Sequence, residues 1–283
     1  MALIDNQGEP ISRWWVIKCI EVVEKQRDIF SSAKMRQARV ELIAGTNRLK
    51  TIKNWLLAAQ IIQSSSREYV ITDIGKAIIA NDPSLEKAST WWAFHLSICF
   101  SERNEPYTSF FLSLEPIAKD WIPWEEVVQQ VRAREELQGY EKSVIESVMG
   151  GIRRMFVEDR PLAELGLIES RTVRGSGISV RLGEPTVTNE VVIHALALMR
   201  FHHFPSRVSV TFSELVNAGL DRFLCLSPDD LRTRLKNLSH TERWQNEFSY
   251  TTVANLDSVD FGDGFMPRKT LLVLLQESQN TWL

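Results

Sequence analysis

Apolar residues recur at three- and four-residue intervals through most of the chain, and the run from Ser31 to Thr72 carries that pattern most completely. Met35, Ala38, Val40, Leu42 and Ile43 supply the apolar positions of a first short helix that Ser31 or Ser32 can cap. A turn at Gly45 leads into a second helix, with Leu49, Ile52, Leu56 and Ala59 as its buried stripe. Its other positions are Arg48, Lys50, Thr51, Lys53 and Asn54, which are expected to face outward. Ile61-Ile62 and Tyr69-Val70-Ile71 then alternate as two strands around the polar tip Gln63-Ser64-Ser65-Ser66-Arg67. Ahead of this stretch, Ile11 to Gln26 reads as a helix capped by Ser12, with an apolar surface of Trp14, Trp15, Ile17, Cys19, Ile20 and Val23. The order is helix, helix, turn, helix, wing: an N-terminal winged helix-turn-helix.

Thr72 to Ile79 adds a short helix that Asn81-Asp82-Pro83 ends, so residues 1–82 form the expected first domain. Leu85 to Glu115 is apolar on more than one side and breaks into two helices at Asn104-Glu105-Pro106. Trp124 to Leu137 is amphipathic, and Ser143 to Val157 is a helix expected to be interrupted at Gly150-Gly151. These make residues 83–170 a helical middle domain. Val173 to Leu182 reads as a hairpin, and Thr188 begins a long helix through Phe201. Phe212 to Val216 is a short helix; Ser227-Pro228-Asp229-Asp230 caps another, which continues through Leu238 with Arg232, Arg234 and Lys236 outward. Phe248 to Val253 and Leu271 to Leu275 are read as strands around the polar stretch Asp257 to Pro267. Residues 171–283 are then a C-terminal α+β domain, readable as a second winged-helix-like unit or as packing alone. The fold class is mainly α with small β-hairpins.

Charge changes the meaning of the first stretch. Lys34, Arg36, Arg39, Arg48, Lys50, Lys53 and Arg67 face Glu41 alone, giving +6 in a chain of net charge −3, so the remainder sums to −9. Cations gathered on an element that suits a major groove can displace counterions from phosphates. The candidate DNA-binding residues are therefore Arg36, Arg39, Arg48, Lys50, Thr51, Lys53, Asn54 and Arg67. A module of this shape can equally serve packing or dimerisation, with no nucleic acid involved.

The remaining chemistry is sparse. Three cysteines lie far apart with no C-x-x-C spacing, which excludes a zinc knuckle and a disulfide framework. No apolar run reaches the roughly 20 residues a bilayer span needs, and no signal-peptide core opens the chain, so a cytoplasmic protein without membrane contact is expected. His95, inside an apolar run, reads as a hydrogen-bonded core residue. His194, His202 and His203 invite a metal reading, but no carboxylate or cysteine completes a set nearby. Gly150-Gly151 lacks the Lys-Ser/Thr of a phosphate loop, and no nucleophile elbow or dinucleotide fingerprint is present. The expectation is a non-catalytic protein with no cofactor and no metal.

Three strings carry a family resemblance: Arg48-Leu49-Lys50-Thr51-Ile52-Lys53-Asn54-Trp55, Trp91-Trp92-Ala93-Phe94-His95-Leu96, and Pro161-Leu162-Ala163-Glu164-Leu165-Gly166-Leu167-Ile168. In order and spacing, from about Arg13 to about Asp260, the chain resembles the bacterial domain-of-unknown-function family DUF4007. It departs where Pro10-Ile11-Ser12-Arg13-Trp14-Trp15 replaces a Phe/His-rich opening, and where the glycine-rich turn is reduced to Ala44-Gly45-Thr46. The resemblance implies a setting beside PAPS-reductase-like sulfurtransferases, in DNA phosphorothioation and anti-phage defence gene clusters. It carries over no catalytic residues. The two functions it leaves are a DNA-binding accessory or regulatory subunit acting on double-stranded DNA, and an adaptor that docks a sulfurtransferase, an ATPase or another defence-system protein without touching DNA. Oligomeric state and sequence preference stay open at this point.

Overall fold

A computed structural model describes residues 9–66, 68–114, 120–157, 160–174, 177–253 and 256–277. The architecture is mainly helical with three small antiparallel sheets. The first group holds α1 (Arg13–Lys25), α2 (Met35–Glu41), α3 (Thr46–Ala58) and the hairpin β1 (Ile62–Ser65) with β2 (Glu68–Ile71). α4 (Asp73–Asn81) and α5 (Ala88–Cys99) follow. The middle group is α6 (Glu105–Leu112), β3 (Ile122–Pro123), α7 (Trp124–Arg132), α8 (Lys142–Val157), β4 (Ile168–Val173) and β5 (Gly177–Leu182). The last group is α9 (Asn189–His203), β6 (Ser209–Thr211), α10 (Phe212–Asn217), α11 (Leu220–Phe223), α12 (Pro228–Ser239), β7 (Phe248–Val253) and β8 (Leu256–Phe261), closed by α13 (Pro267–Glu277). Among the described residues no helix is long and apolar enough to cross a membrane.

One connectivity is written three times. In the middle sheet the order is β3-β5-β4 and in the last it is β6-β8-β7, so each hairpin's second strand pairs with a strand that precedes the group's later helices. The first group has only the hairpin, but the Tyr69 amide donates to the Arg27 carbonyl at 2.8 Å, a single bond where the others have a strand. Residue 170 falls inside β4, whose partner β5 begins at Gly177, so the 170/171 division of the sequence reading cuts a hairpin that completes the middle group.

The groups meet on α5. Every residue from Ser89 to Cys99 is buried, so this helix has no solvent face, and it touches α3, α6, α9 and α13. The chain enters it over the buried Asp82 carboxylate, which accepts from the Glu86 amide (3.1 Å), the Lys87 amide (2.9 Å) and the Thr90 hydroxyl (2.6 Å). At its centre His95 lies fully buried between the Phe223 carbonyl, 2.8 Å from Nε2, and the Tyr107 hydroxyl, 2.9 Å from Nδ1. A carbonyl only accepts, so Nε2 carries the proton and Nδ1 receives the Tyr107 O–H. That assignment makes His95 the hydrogen-bonded core residue its apolar run implied.

Three local readings need correction. α8 runs unbroken through Gly150-Gly151, because Ile145, Val148, Met149, Ile152, Met155 and Phe156 pack along one face and outweigh the ~1 kcal/mol each glycine costs a helix. Leu271 to Leu275 is helix, not strand: Leu271, Leu274 and Leu275 are buried at helical spacing as α13 packs on α9 and α4. The strand in that region is β8, inside the stretch read as polar, and it is held by β6 and β7 on either side. In α2, Val40 and Ile43 are 73% and 76% exposed, so they are not core positions.

Ile43 is also unusual in its backbone. The Ala44 amide reaches the Arg39 carbonyl (3.2 Å) and the Ile43 amide reaches that of Val40 (3.3 Å), a C-terminal cap that places Ile43 at φ +46°. Glycine normally occupies that left-handed position, and a β-branched residue there is strained by the order of 1–2 kcal/mol. Replacing Ile43 with glycine is therefore expected to raise the melting temperature by a few degrees, about 1 kcal/mol of stability, in a thermal melt.

Burial also fixes the acid response. It lowers the pKa of His95 from 6.5 to about 4 and that of His194 from 6.5 to about 3. Below 6.5 the unfolded chain takes up protons the folded chain refuses, so stability is lost as pH falls toward about 4; above 6.5 these groups add no slope. Each is expected to cost about 2 kcal/mol between about pH 7 and pH 5 in urea unfolding. His95→Gln, which cannot ionise, is expected to remove roughly half of that difference.

Candidate nucleic-acid interface

α3 starts at Gly45, its N-cap, where an added Cβ would meet nothing within 4 Å, and it ends at Ala58. Leu49, Ile52, Trp55, Leu56 and Ala58 are buried against α1, α2, β1 and α5, which fixes how the helix is rotated. Besides Thr46, Asn47 and Arg48 in its first turn, the helix leaves Lys50, Lys53, Asn54 and Leu57 outward, the last three spaced three, four and seven residues from Lys50 along one continuous ridge. Lys50 is exposed and Lys53 and Asn54 are half-buried. Among the described residues neither lysine meets a carboxylate; the Lys53 ammonium lies 5.8 Å from the centre of the Tyr69 ring, on the hairpin. The hairpin thus lies beside the helix at Lys53.

Two residues grouped with this ridge from sequence lie elsewhere. Arg48 is two positions from Lys50 and therefore about 200° around the helix. Its guanidinium is 2.9 Å from the Glu9 carboxylate and 5.9 Å from the centre of the Trp15 ring. Thr51 is buried, and its hydroxyl donates to the Asn47 carbonyl at 3.2 Å, back into its own helix. Thr51 is therefore not an outward position, and Arg48, though exposed, is paired with Glu9. Arg67 lies outside the described residues.

Arg36 and Arg39 are exposed on α2, and among the described residues they pair with no acid. They border an open depression whose other walls are Val40, Ile43, Ala44 and Gly45. Sequence periodicity missed this patch because it assigned Val40 and Ile43 to the core. Nor could it have found Glu9, which holds α3 twice: by its carboxylate on Arg48 and by its carbonyl, which accepts from the Trp55 indole at 3.2 Å.

The corresponding helices of the other two groups hold their cations differently. On α12, Arg232 sits between Asp229 (2.5 Å) and Asp257 (2.9 Å), and Arg234 donates to the Val187 carbonyl at 2.7 Å. On α8, Lys142 pairs with Glu146 at 3.5 Å and Arg153 lies over the Trp124 ring at 5.7 Å. The histidines do not converge either. His194 bonds to Thr270, while His202 and His203 pack on Phe100, and burial lowers the pKa of all three. Among the described residues no three or more His, Cys, Asp or Glu side chains are placed to hold a metal ion.

In overall architecture the chain is similar to a crystal structure of SspB with a magnesium ion bound, at TM-score 0.77 and 17% identity, covering 98% of this chain and 87% of that one. A second SspB crystal structure gives TM-score 0.75 and 16% identity over the same shares. At that identity the likeness is one of fold. No curated protein matches the sequence. The family model for a protein of unknown function, DUF4007, matches residues 10–273, and the chain belongs to that family.

Proposed function

We propose that this chain is a non-catalytic, DNA-binding accessory or regulatory subunit of a cytoplasmic DNA-modification system, of phosphorothioation type, or of an anti-phage defence system. In this reading the first group is a winged helix-turn-helix: α3 enters the major groove and the β1–β2 hairpin is the wing. The observation that carries it is the bare ridge of Lys50, Lys53 and Asn54. Cations of the equivalent α8 and α12 helices are largely engaged by the protein's own groups, whereas this ridge keeps its charge for an external anion. Asparagine can read an adenine edge, and the two lysines serve the phosphates. Arg36 and Arg39 extend the contact along the backbone, while Thr51 is buried within the helix's own packing and Arg48 is paired at the surface with Glu9. The defence setting comes from the family resemblance.

The adaptor reading draws on a separate observation. Val40 and Ile43 are apolar and exposed, and Ile43 is strained at the turn, a surface better matched to protein than to phosphate. Under that reading the α2 patch docks a sulfurtransferase or ATPase, and DNA is not touched.

Duplex binding followed by fluorescence anisotropy between about 50 and 200 mM salt separates the two. Lys50→Ala with Lys53→Ala is expected to reduce the slope of log K against log salt by about 2, and the corresponding glutamates to abolish binding. Arg48→Ala is expected to lower stability and leave that slope unchanged. A parent protein that ignores duplex DNA, yet retains its neighbours' products in a pull-down after nuclease treatment, sinks the DNA reading in favour of the adaptor.

A further inference from the structure

A groove of about 540 Å³ opens between α4, α9 and α13. Ala77, Leu198 and Leu271 form its walls, and its rim carries Phe201, Met266 and Leu272, at 52%, 48% and 39% exposure. The volume falls within the range of small-molecule sites. Large apolar side chains left in water around a concave apolar surface mark a place where something binds.

His194 makes the groove chemically specific. It lines the groove on the same face of α9 as Leu198 and Phe201, yet only 2% of it is exposed. Its Nδ1 lies 3.0 Å from the Thr270 hydroxyl, and that hydroxyl donates its single proton to the Pro267 carbonyl, also at 3.0 Å. Thr270 must then accept from His194, so Nδ1 carries the ring proton and Nε2 is left as a lone-pair acceptor. Among the described residues Nε2 meets no donor, and it is not sealed from solvent, so what remains accessible of this ring includes an acceptor facing open space. Burial keeps the ring neutral, with its pKa lowered to about 3, which preserves that lone pair at physiological pH.

The mouth adds a charge preference. Asp73 is 3.9 Å from the Lys76 ammonium and 3.7 Å from the Arg268 guanidinium, so one carboxylate is shared by two cations. The opening is one unit positive.

We propose that this groove binds a small molecule built as a flat apolar ring system, with one N–H or O–H donor on the ring edge for His194 Nε2 and an anionic group for Lys76 and Arg268. The ring replaces water against Leu198 and Leu271, the donor meets the His194 acceptor, and the anion stays at the entrance. This site is independent of the DNA reading and stands or falls separately from it.

Indole-3-propionate has all three parts and serves as the probe for calorimetric titration of the full chain. It is expected to bind saturably, and its N-methyl analogue, which lacks the donor, about tenfold more weakly. Leu272→Glu, a rim change that leaves the core intact, is expected to abolish binding of both. His194→Phe is expected to erase the preference for the N–H compound; should that variant fail to fold, the pair of ligands on the parent protein and the Leu272→Glu variant still decide. Equal affinity for the two compounds, undiminished binding by Leu272→Glu, or no saturable binding overturns the proposal. So does binding of a tryptophan-containing peptide where the free ring compound does not bind, which would make the groove a protein contact.

Discussion

The structure depends on one imidazole. His95 stands in the middle of a helix with no solvent face, and its two nitrogens join the Tyr107 hydroxyl on α6 to the Phe223 carbonyl at the end of α11. A buried polar group with both partners supplied adds direction to a core that apolar contacts alone leave non-directional. Here it fixes the azimuth of α5, and with it the surfaces offered to α3, α6, α9 and α13. The first, middle and last groups thereby acquire one relative arrangement. The surrounding rings of Trp92, Phe111 and Tyr107 pack on the imidazole with centroids between 4.7 and 5.8 Å, so the pair of hydrogen bonds sits in an aromatic shell that excludes water.

Threefold repetition of one connectivity puts three helices in comparable positions, and their charges have diverged. α12 gives its arginines to its own aspartates and to a backbone carbonyl; α8 gives one to an indole and a lysine to a glutamate. Among the described residues Lys50 and Lys53 on α3 keep free of carboxylates, as Lys236 does on α12 and Arg153, over its indole, does on α8. An ion pair formed within the molecule has already released its counterions, so it has little left to gain from a phosphate.

Local signals were legible where a helix has one wet and one dry side, or where a cap is a single side chain. Thr188 and Ser227 accept from the Val191 and Asp230 amides, as their positions ahead of α9 and α12 imply. The β1–β2 hairpin forms where the sequence pattern places two strands, though β1 runs on through Gln63, Ser64 and Ser65, which that pattern assigns to the tip. What failed had non-local causes. Leu271 to Leu275 resembles a strand until α4 and α9 are seen to flank it. The middle hairpin was split at residue 170, because β4 shows its purpose only beside β5. In the site, Lys50, Lys53 and Asn54 could be read from spacing, whereas the fate of Arg48 depended on a carboxylate 39 residues away. The exposure of Val40 and Ile43 was hidden because hydrophobicity was taken as a sign of burial, a rule that runs in one direction only.

Glu9 deserves a last consideration. Through its side chain and its carbonyl it fastens the stretch ahead of α1 onto the inner flank of α3. The electrostatic character of α3 is therefore set partly by a residue outside the helix. Shortening the chain to begin at Arg13 would release a guanidinium, leave an indole N–H without its acceptor, and make that flank one unit more positive while loosening its hold on the core.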